Sequence, residues 1–272
     1  MLRTRLDLAL ALVALLAVPA LAAPPSRILW GADGAQGNTL AKLYQIDPTT
    51  GAAALVGPLG VGVTGLAVGH DGILYGATNT GTRGLVTIDR VTGAATSVGA
   101  FSPAANISDL TVSPSGGLFG WWDGFMSPKD LVVITPGTAA VTVVGDSMLS
   151  TLSGNGLAFC GDTLYLAPEG PSGKLYTIDP ITGGAMPGST LTGTPFAGES
   201  ISALACAFDG TLFGAQLGVN GGSVDGQAHL IAIAAPATSG AVTDIGATVN
   251  KLDAIAFDEI RIDSLDATPT SA

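Results

Sequence analysis

A short phrase with an aromatic residue returns five times along the chain: "ILWGA", "ILYGA", "LFGWW", "LYLAP" and "LFGAQ". Its aromatic positions, Trp30, Tyr75, Phe119, Tyr165 and Phe213, are spaced 45, 44, 46 and 48 residues apart. That period, with dense Gly punctuation and no helix-length amphipathic windows, excludes helical solenoids and suits propeller blades of four strands each. The companions of the aromatic strand recur too. An alternating segment precedes it ("TGLAV", "SDLTV", "NGLAF", "SALAC", "DAIAF"), a phrase such as "LYQID", "LVTID" or "LYTID" follows, and an Ala/Thr/Val segment such as "ATSVG" ends the unit. The first aromatic phrase lacks its alternating segment, and the last alternating segment, 252–257, has no aromatic phrase after it. Pairing the two closes a ring and removes the open edge. The expected fold is all-β: a five-bladed β-propeller with four antiparallel strands per blade, closed by the C-terminal inner strand.

Two details fit this reading. Within each alternating segment one parity carries large residues (Leu66 and Val68, Leu157 and Phe159, Ile255 and Phe257) and the other small ones (Gly65 and Ala67, Gly156 and Ala158, Ala254 and Ala256). Period two places them on opposite faces, so large meets small between neighbouring blades. Asp109 and Thr111 break the rule by standing on the small side. The phrases "LYQIDPTTG", "LVTIDRVTG" and "LYTIDPITG" then place Asp47, Asp89 and Asp179 at a tight turn, with Gly51, Gly93 and Gly183 at its positive-φ end. A turn explains all three aspartates without a catalytic carboxylate ring.

Residues 1–23 read as an export signal: Arg3 and Arg5, an apolar run Leu8–Val18, and "ALA" at 20–22. The run is short for a membrane span. The expected organisation is signal peptide 1–23, a single propeller domain 24–263 and a flexible polar tail 264–272, in a secreted or periplasmic protein with no membrane span in the mature chain. Removal of the signal takes away Arg3, Arg5 and Asp7, leaving 8 basic and 20 acidic residues. That balance argues against a nucleic-acid partner, which needs clustered Lys and Arg. With 47% hydrophobic residues, a packed β-rich core is expected despite 39 glycines.

The repeat phrases resemble secreted bacterial β-propellers built from "LYxIDPxTG…VG…LAFDPDGxLYG" units, near the NHL-type and quinoprotein-type propellers. The resemblance covers roughly residues 27–260. It implies the fold and leaves function open, because propellers host unrelated activities. Quinoprotein repeats carry a docking Trp after the turn; here Ala, Val, Met and Leu follow Gly51, Gly93 and Gly183, so no quinone cofactor is expected.

Turn lengths are asymmetric. Links such as "GHDG", "SPSG" and "DPTTG" are short, whereas the links from aromatic to third strands (33–41, 78–84, 121–130, 167–174 and 215–229) and those between blades (such as 100–106, 146–153 and 188–200) are long, and both long classes emerge on one rim. A binding site is expected on that long-loop face. Its first candidate is "GWWDGF", where Trp121, Trp122 and Phe125 could offer stacking area; Trp121 can instead pack between blades, and Trp122 is the better candidate for exposure. Its second is a ring at the entrance to the inner strands, Thr64, Ser108, Asn155, Ser202 and Asp253, lining the central channel with water or a small polar ligand. The leading functional reading is a non-enzymatic binding or scaffold module for a carbohydrate or a cell-envelope protein. The rival is a glycosidase-like hydrolase using Asp109, Glu199 and Asp253 at the channel mouth. His70 and His229 have no sequence-level partner, and no zinc pattern exists. Cofactors are not expected, with calcium left open at loops such as "DGAQGN" (33–38). Cys160 and Cys206 read either as a disulfide or as two buried thiols. Oligomeric state is not addressed by the sequence.

Overall fold

The computed structural model describes residues 28–34, 41–123, 131–149, 155–168, 173–193, 200–216 and 227–258. The expected signal peptide, Phe125, Glu199, residues 35–38 of the proposed calcium loop and the tail 264–272 lie outside the described residues.

In chain order, β1 (Ile28–Ala32), β2 (Lys42–Ile46) and β3 (Ala53–Pro58) belong to blade I. Blade II holds β4 (Val63–Val68), β5 (Leu74–Thr78), β6 (Gly84–Ile88) and β7 (Ala95–Ala100). Blade III holds β8 (Ile107–Val112), β9 (Leu118–Trp122), β10 (Leu131–Thr135) and β11 (Ala140–Gly145). Blade IV holds β12 (Gly156–Cys160), β13 (Thr163–Ala167), β14 (Lys174–Ile178) and β15 (Ala185–Thr190). Blade V holds β16 (Ile201–Cys206), β17 (Leu212–Gln216), β18 (His229–Ala234) and β19 (Ala241–Ala247), and β20 (Ala254–Asp258) returns to blade I. Strand β20 pairs antiparallel with β1, Ala32 opposite Ala254 and Ile28 opposite Asp258. The chain is a five-bladed β-propeller closed by its own C-terminal inner strand. Among the described residues no helix is long and apolar enough to cross a membrane.

Each seam between blades has its own apolar cluster, and each repeat aromatic fills one. Trp30 packs between blades I and II, Tyr75 between II and III, Phe119 between III and IV, Tyr165 between IV and V, and Phe213 between V and I. Burying one such side chain is worth roughly 1.5–3 kcal/mol, so five seams share the stabilisation that a single core supplies elsewhere. Near the axis two small-parity positions lie too close to the next blade for any side chain. A methyl group on Gly65 would lie 2.6 Å from Leu110 N, and one on Gly156 would lie 2.9 Å from Leu204 N.

The repeated Asp–Gly turn serves the rim in two ways. Asp47, Asp89 and Asp179 each accept main-chain N–H bonds at 2.8 Å from the residue two places on. The glycine N–H closes the turn on the aspartate carbonyl at 2.8 Å in all three. Gly51, Gly93 and Gly183 take φ of 74°, 78° and 75°, a region an L side chain enters only with strain. The same glycines lie against Gly246, Gly57 and Gly145 on the outer strand of the preceding blade. Backbone thus meets backbone at the rim, which is why the phrase repeats.

Gly93→Ala should therefore lose about 1–2 kcal/mol from the positive φ alone, with a further cost from the Gly57 contact. Gly137→Ala, where a methyl meets nothing within 4 Å, should be near neutral. Urea midpoints at unchanged m measure both.

Candidate functional site

The ring expected at the entrance to the channel exists, but its groups are occupied. Thr64, Ser108 and Ser202 are the extra residues of β-bulges, where the register against the next strand shifts between Val63 and Gly65, Ile107 and Asp109, and Ile201 and Ala203. A bulge leaves its residue out of the ladder, and here each hydroxyl reaches back to a carbonyl. Thr64 Oγ1 donates to Ile107 O of the next blade at 2.7 Å, and Ser202 Oγ donates to Leu252 O at 2.8 Å. Ser108 Oγ lies 3.4 Å from Trp121 O. Asn155 Nδ2 donates to Asp123 Oδ1 at 2.6 Å. All five members, Asp253 included, are buried. The expectation of a polar lining open to a ligand is corrected: these hydroxyls and this amide tie strand ends and neighbouring blades together.

Asp109 and Thr111, the exceptions to the parity rule, have the same kind of task. Inner strands present unpaired N–H groups toward the axis. Asp109 Oδ2 accepts from Leu157 N at 2.7 Å and lies 3.4 Å from Leu204 N, while Oδ1 accepts from Leu110 N at 2.8 Å. Thr111 Oγ1 accepts from Phe159 N at 3.0 Å. Asp109 is 0% exposed. Burial pushes its carboxyl well above the ordinary value of 3.8; the three N–H groups oppose this and the nearby Asp253 charge adds to it. A carboxyl so enclosed is a poor candidate for an acid that must reach substrate.

The tryptophan pair is also corrected. Trp121 and Trp122 are successive residues of one strand, so they face opposite sides of blade III. Trp121 is packed with Leu131, Leu157 and Leu166 in the seam to blade IV, and Trp122 with Leu85, Phe101 and Ile107 in the seam to blade II. At 7% exposure Trp122 offers no stacking platform. His229 Nδ1 lies 2.9 Å from Asp244 Oδ1, and among the described residues no three metal-ligating groups gather.

A concavity formed by described residues opens on the short-turn face. It is a cup of about 1030 Å³. Its floor is the ring of equivalent inner-strand ends Val68, Val112, Phe159, Cys206 and Phe257. Beneath them a narrow channel of about 120 Å³ runs between the inner strands at Leu66, Leu110, Leu204 and Ile255. The tight turns form the wall and carry His70, Asp162, Phe208 and Asp209, with Phe208 75% exposed. Cys160 and Cys206 are joined by a disulfide that ties β12 to β16 beside the floor, with Cα atoms 5.1 Å apart. Across a separation of 46 residues such a link stabilises by on the order of 4 kcal/mol in the chain-entropy model. On the blade I side Arg90 Nη1 pairs with Asp258 Oδ2 at 2.7 Å, and Trp30 Nε1 donates to the same oxygen at 3.4 Å.

No family model matches the chain, and no curated protein matches it in sequence. Solved structures do. A chain of the nidogen/laminin complex superposes with a TM-score of 0.53 at 12% identity, covering 85% of this chain and 98% of that one. A protein of unknown function from Bacteroides thetaiotaomicron VPI-5482 superposes with a TM-score of 0.53 at 18% identity, covering 88% of this chain and 66% of that one. This chain therefore spans just under two thirds of the second protein's length. At these identities the similarity is one of fold.

The Asp109 environment makes stability depend on pH in a defined direction. The folded form holds this proton more tightly than the unfolded chain, so the contribution is complete below pH 3.8 and is lost as pH rises through the folded value. Unfolding free energy should decline above pH 4, by at most about 1.4 kcal/mol per pH unit from this group. Asp109→Asn should remove that decline, as followed by urea unfolding across pH 4–9. The turn aspartates, whose carboxyls are held below the usual range by their turn hydrogen bonds, act only at lower pH.

Proposed function

We propose that the protein is an exported, non-enzymatic binding propeller that holds a partner in the cup on its short-turn face. The observation that carries this reading is the cup itself: an apolar floor made of five equivalent strand ends, left uncovered by tight turns, with an exposed Phe208 on its rim. Concavities of this size are the usual seats of ligands and anchoring side chains. Export is supported by residues 1–23 and by the Cys160–Cys206 disulfide, a bond that persists in oxidising compartments. A protein of the cell envelope or the extracellular space is the favoured partner, and a carbohydrate is the second class.

The hydrolase reading draws on one observation, the electrostatic coupling of Asp109 with Asp253. Against it, both carboxylates are buried and Asp109 is held by three main-chain N–H groups.

The test uses Val112→Trp, which fills the cup, checked for native circular dichroism, on arrays of glycans and envelope-protein peptides. Ligands bound by the wild type should be lost by the filled variant and should be recovered chemically unchanged. Ligands retained equally by the filled variant would remove the cup from consideration. Turnover that is abolished in Asp109→Asn would instead establish the hydrolase.

A further inference from the structure

Charge is distributed unevenly between the two faces. Of the described Lys and Arg residues, Lys42, Arg83, Lys174 and Lys251 all stand at the long-loop ends of their strands. Arg90 alone lies on the short-turn face, and it is paired with Asp258. The short turns carry Asp47, Asp71, Asp89, Asp162, Asp179 and Asp209. His70 is the other basic side chain on their side of the cup. Apolar residues project among these aspartates: Val91, Ile181 and Phe208 are largely exposed, and Ile73 partly so. Of these, Phe208 stands on the wall of the cup, where a bound partner would cover it.

We propose that this face docks a basic polypeptide segment, which inserts an apolar side chain into the cup while its Lys or Arg residues meet the aspartate-bearing turns. The inference deepens the cup reading above and rests on it. The volume of about 1030 Å³ accommodates more than one side chain, and the floor offers them the apolar side chains of Val68, Val112, Phe159 and Phe257, with polar groups on the wall around them. Charge complementarity selects the rest of the partner. An acidic rim speeds encounter with a basic segment and repels anionic ones. Nucleic acid, an anionic lipid surface and a second copy of this chain, whose formal charge is −11, are all disfavoured on this face. Two copies meeting through it would set six turn aspartates against six.

The test is fluorescence anisotropy of the mature chain with three labelled peptides of about a dozen residues: alternating Arg and Leu, alternating Glu and Leu, and alternating Arg and Gly. These lengths span a cup of this size in extended form. The Arg/Leu peptide should bind alone of the three and should weaken as salt rises. Phe208→Asp and Asp162→Lys should each weaken it about tenfold, the loss typical of a central interface residue, and Lys174→Glu on the opposite face should leave it unchanged. Equal binding of the Glu/Leu peptide, still lost in Phe208→Asp, would overturn the basic-segment inference and leave the cup reading intact. Binding of Arg/Gly that ignores Phe208→Asp would overturn both. A neutral glycan that binds in a Phe208-dependent manner while no peptide does would also overturn the inference alone. So would a wild-type dimer, seen by sedimentation, that Phe208→Asp disperses.

Discussion

Everything in this molecule depends on the pairing of β20 with β1. A propeller has no central element; each blade is held by its two neighbours, and a missing inner strand would open two seams at once. Strand β20 shows this directly. Its Ala254 and Ala256 belong to the cluster between blades I and II, while Ile255 and Phe257 belong to the cluster between V and I. One five-residue strand therefore completes two of the five seams. Its last residue is also clamped: Asp258 takes the Arg90 guanidinium and the Trp30 indole N–H on one oxygen. Arg90 occupies the place in its turn where Pro48 and Pro180 stand in the equivalent phrases. The one departure from proline among these turns falls where a cation is needed to reach the closing strand.

Such a ring uses its polar groups to hold itself together. Inner strands leave N–H groups facing the axis, bulges leave carbonyls out of the ladder, and strand ends are buried where blades converge. Asp109, Thr111, Thr64, Ser202 and Asn155 each answer one of these demands through a hydrogen bond to backbone or to a neighbouring carboxylate. Buried polar groups must be satisfied, and here the satisfaction leaves little polar chemistry for substrate on the axis. Open concave surface remains at the strand exits on the short-turn side.

The fold was legible because it is written as a period: aromatic spacing gave the blades, the missing and surplus inner segments gave the closure, and the Gly/Ala parity gave the close approach at the axis. The site was less so. Exposure of Trp122 was inferred from a glycine-rich surrounding, although adjacency to Trp121 carried the opposite signal. Consecutive residues in a strand face opposite sides, and in a propeller both sides of a blade are seams. The bulges at Thr64, Ser108 and Ser202 had no signal beyond a hydroxyl before a small residue. Ala139 at φ 58° shows a positive-φ turn end without the glycine that marks the other repeats. The cup at the tight turns carries a different signal from the loop lengths, which point to the long-loop face. Long loops can cover a channel mouth, whereas tight turns leave the opposite mouth uncovered, and the residues that floor it were already visible as the last large members of each inner strand.

The same turns that close the rim also maintain the acidity of that face. Each of Asp47, Asp89 and Asp179 is exposed or half-buried and hydrogen-bonded within its own turn, and those bonds favour the ionised form. A carboxylate held this way stays charged in more acid surroundings than a free aspartate does. The turn motif thus couples two properties that need not go together, a fixed backbone geometry between blades and a persistent negative charge on the outer rim of the short-turn face. Loss of the turn aspartate would disturb both, whereas Asp162, which lies on the cup wall apart from any such phrase, contributes negative charge without holding a repeat in place. That separation leaves the charge on the cup wall open to change while the seams stay intact.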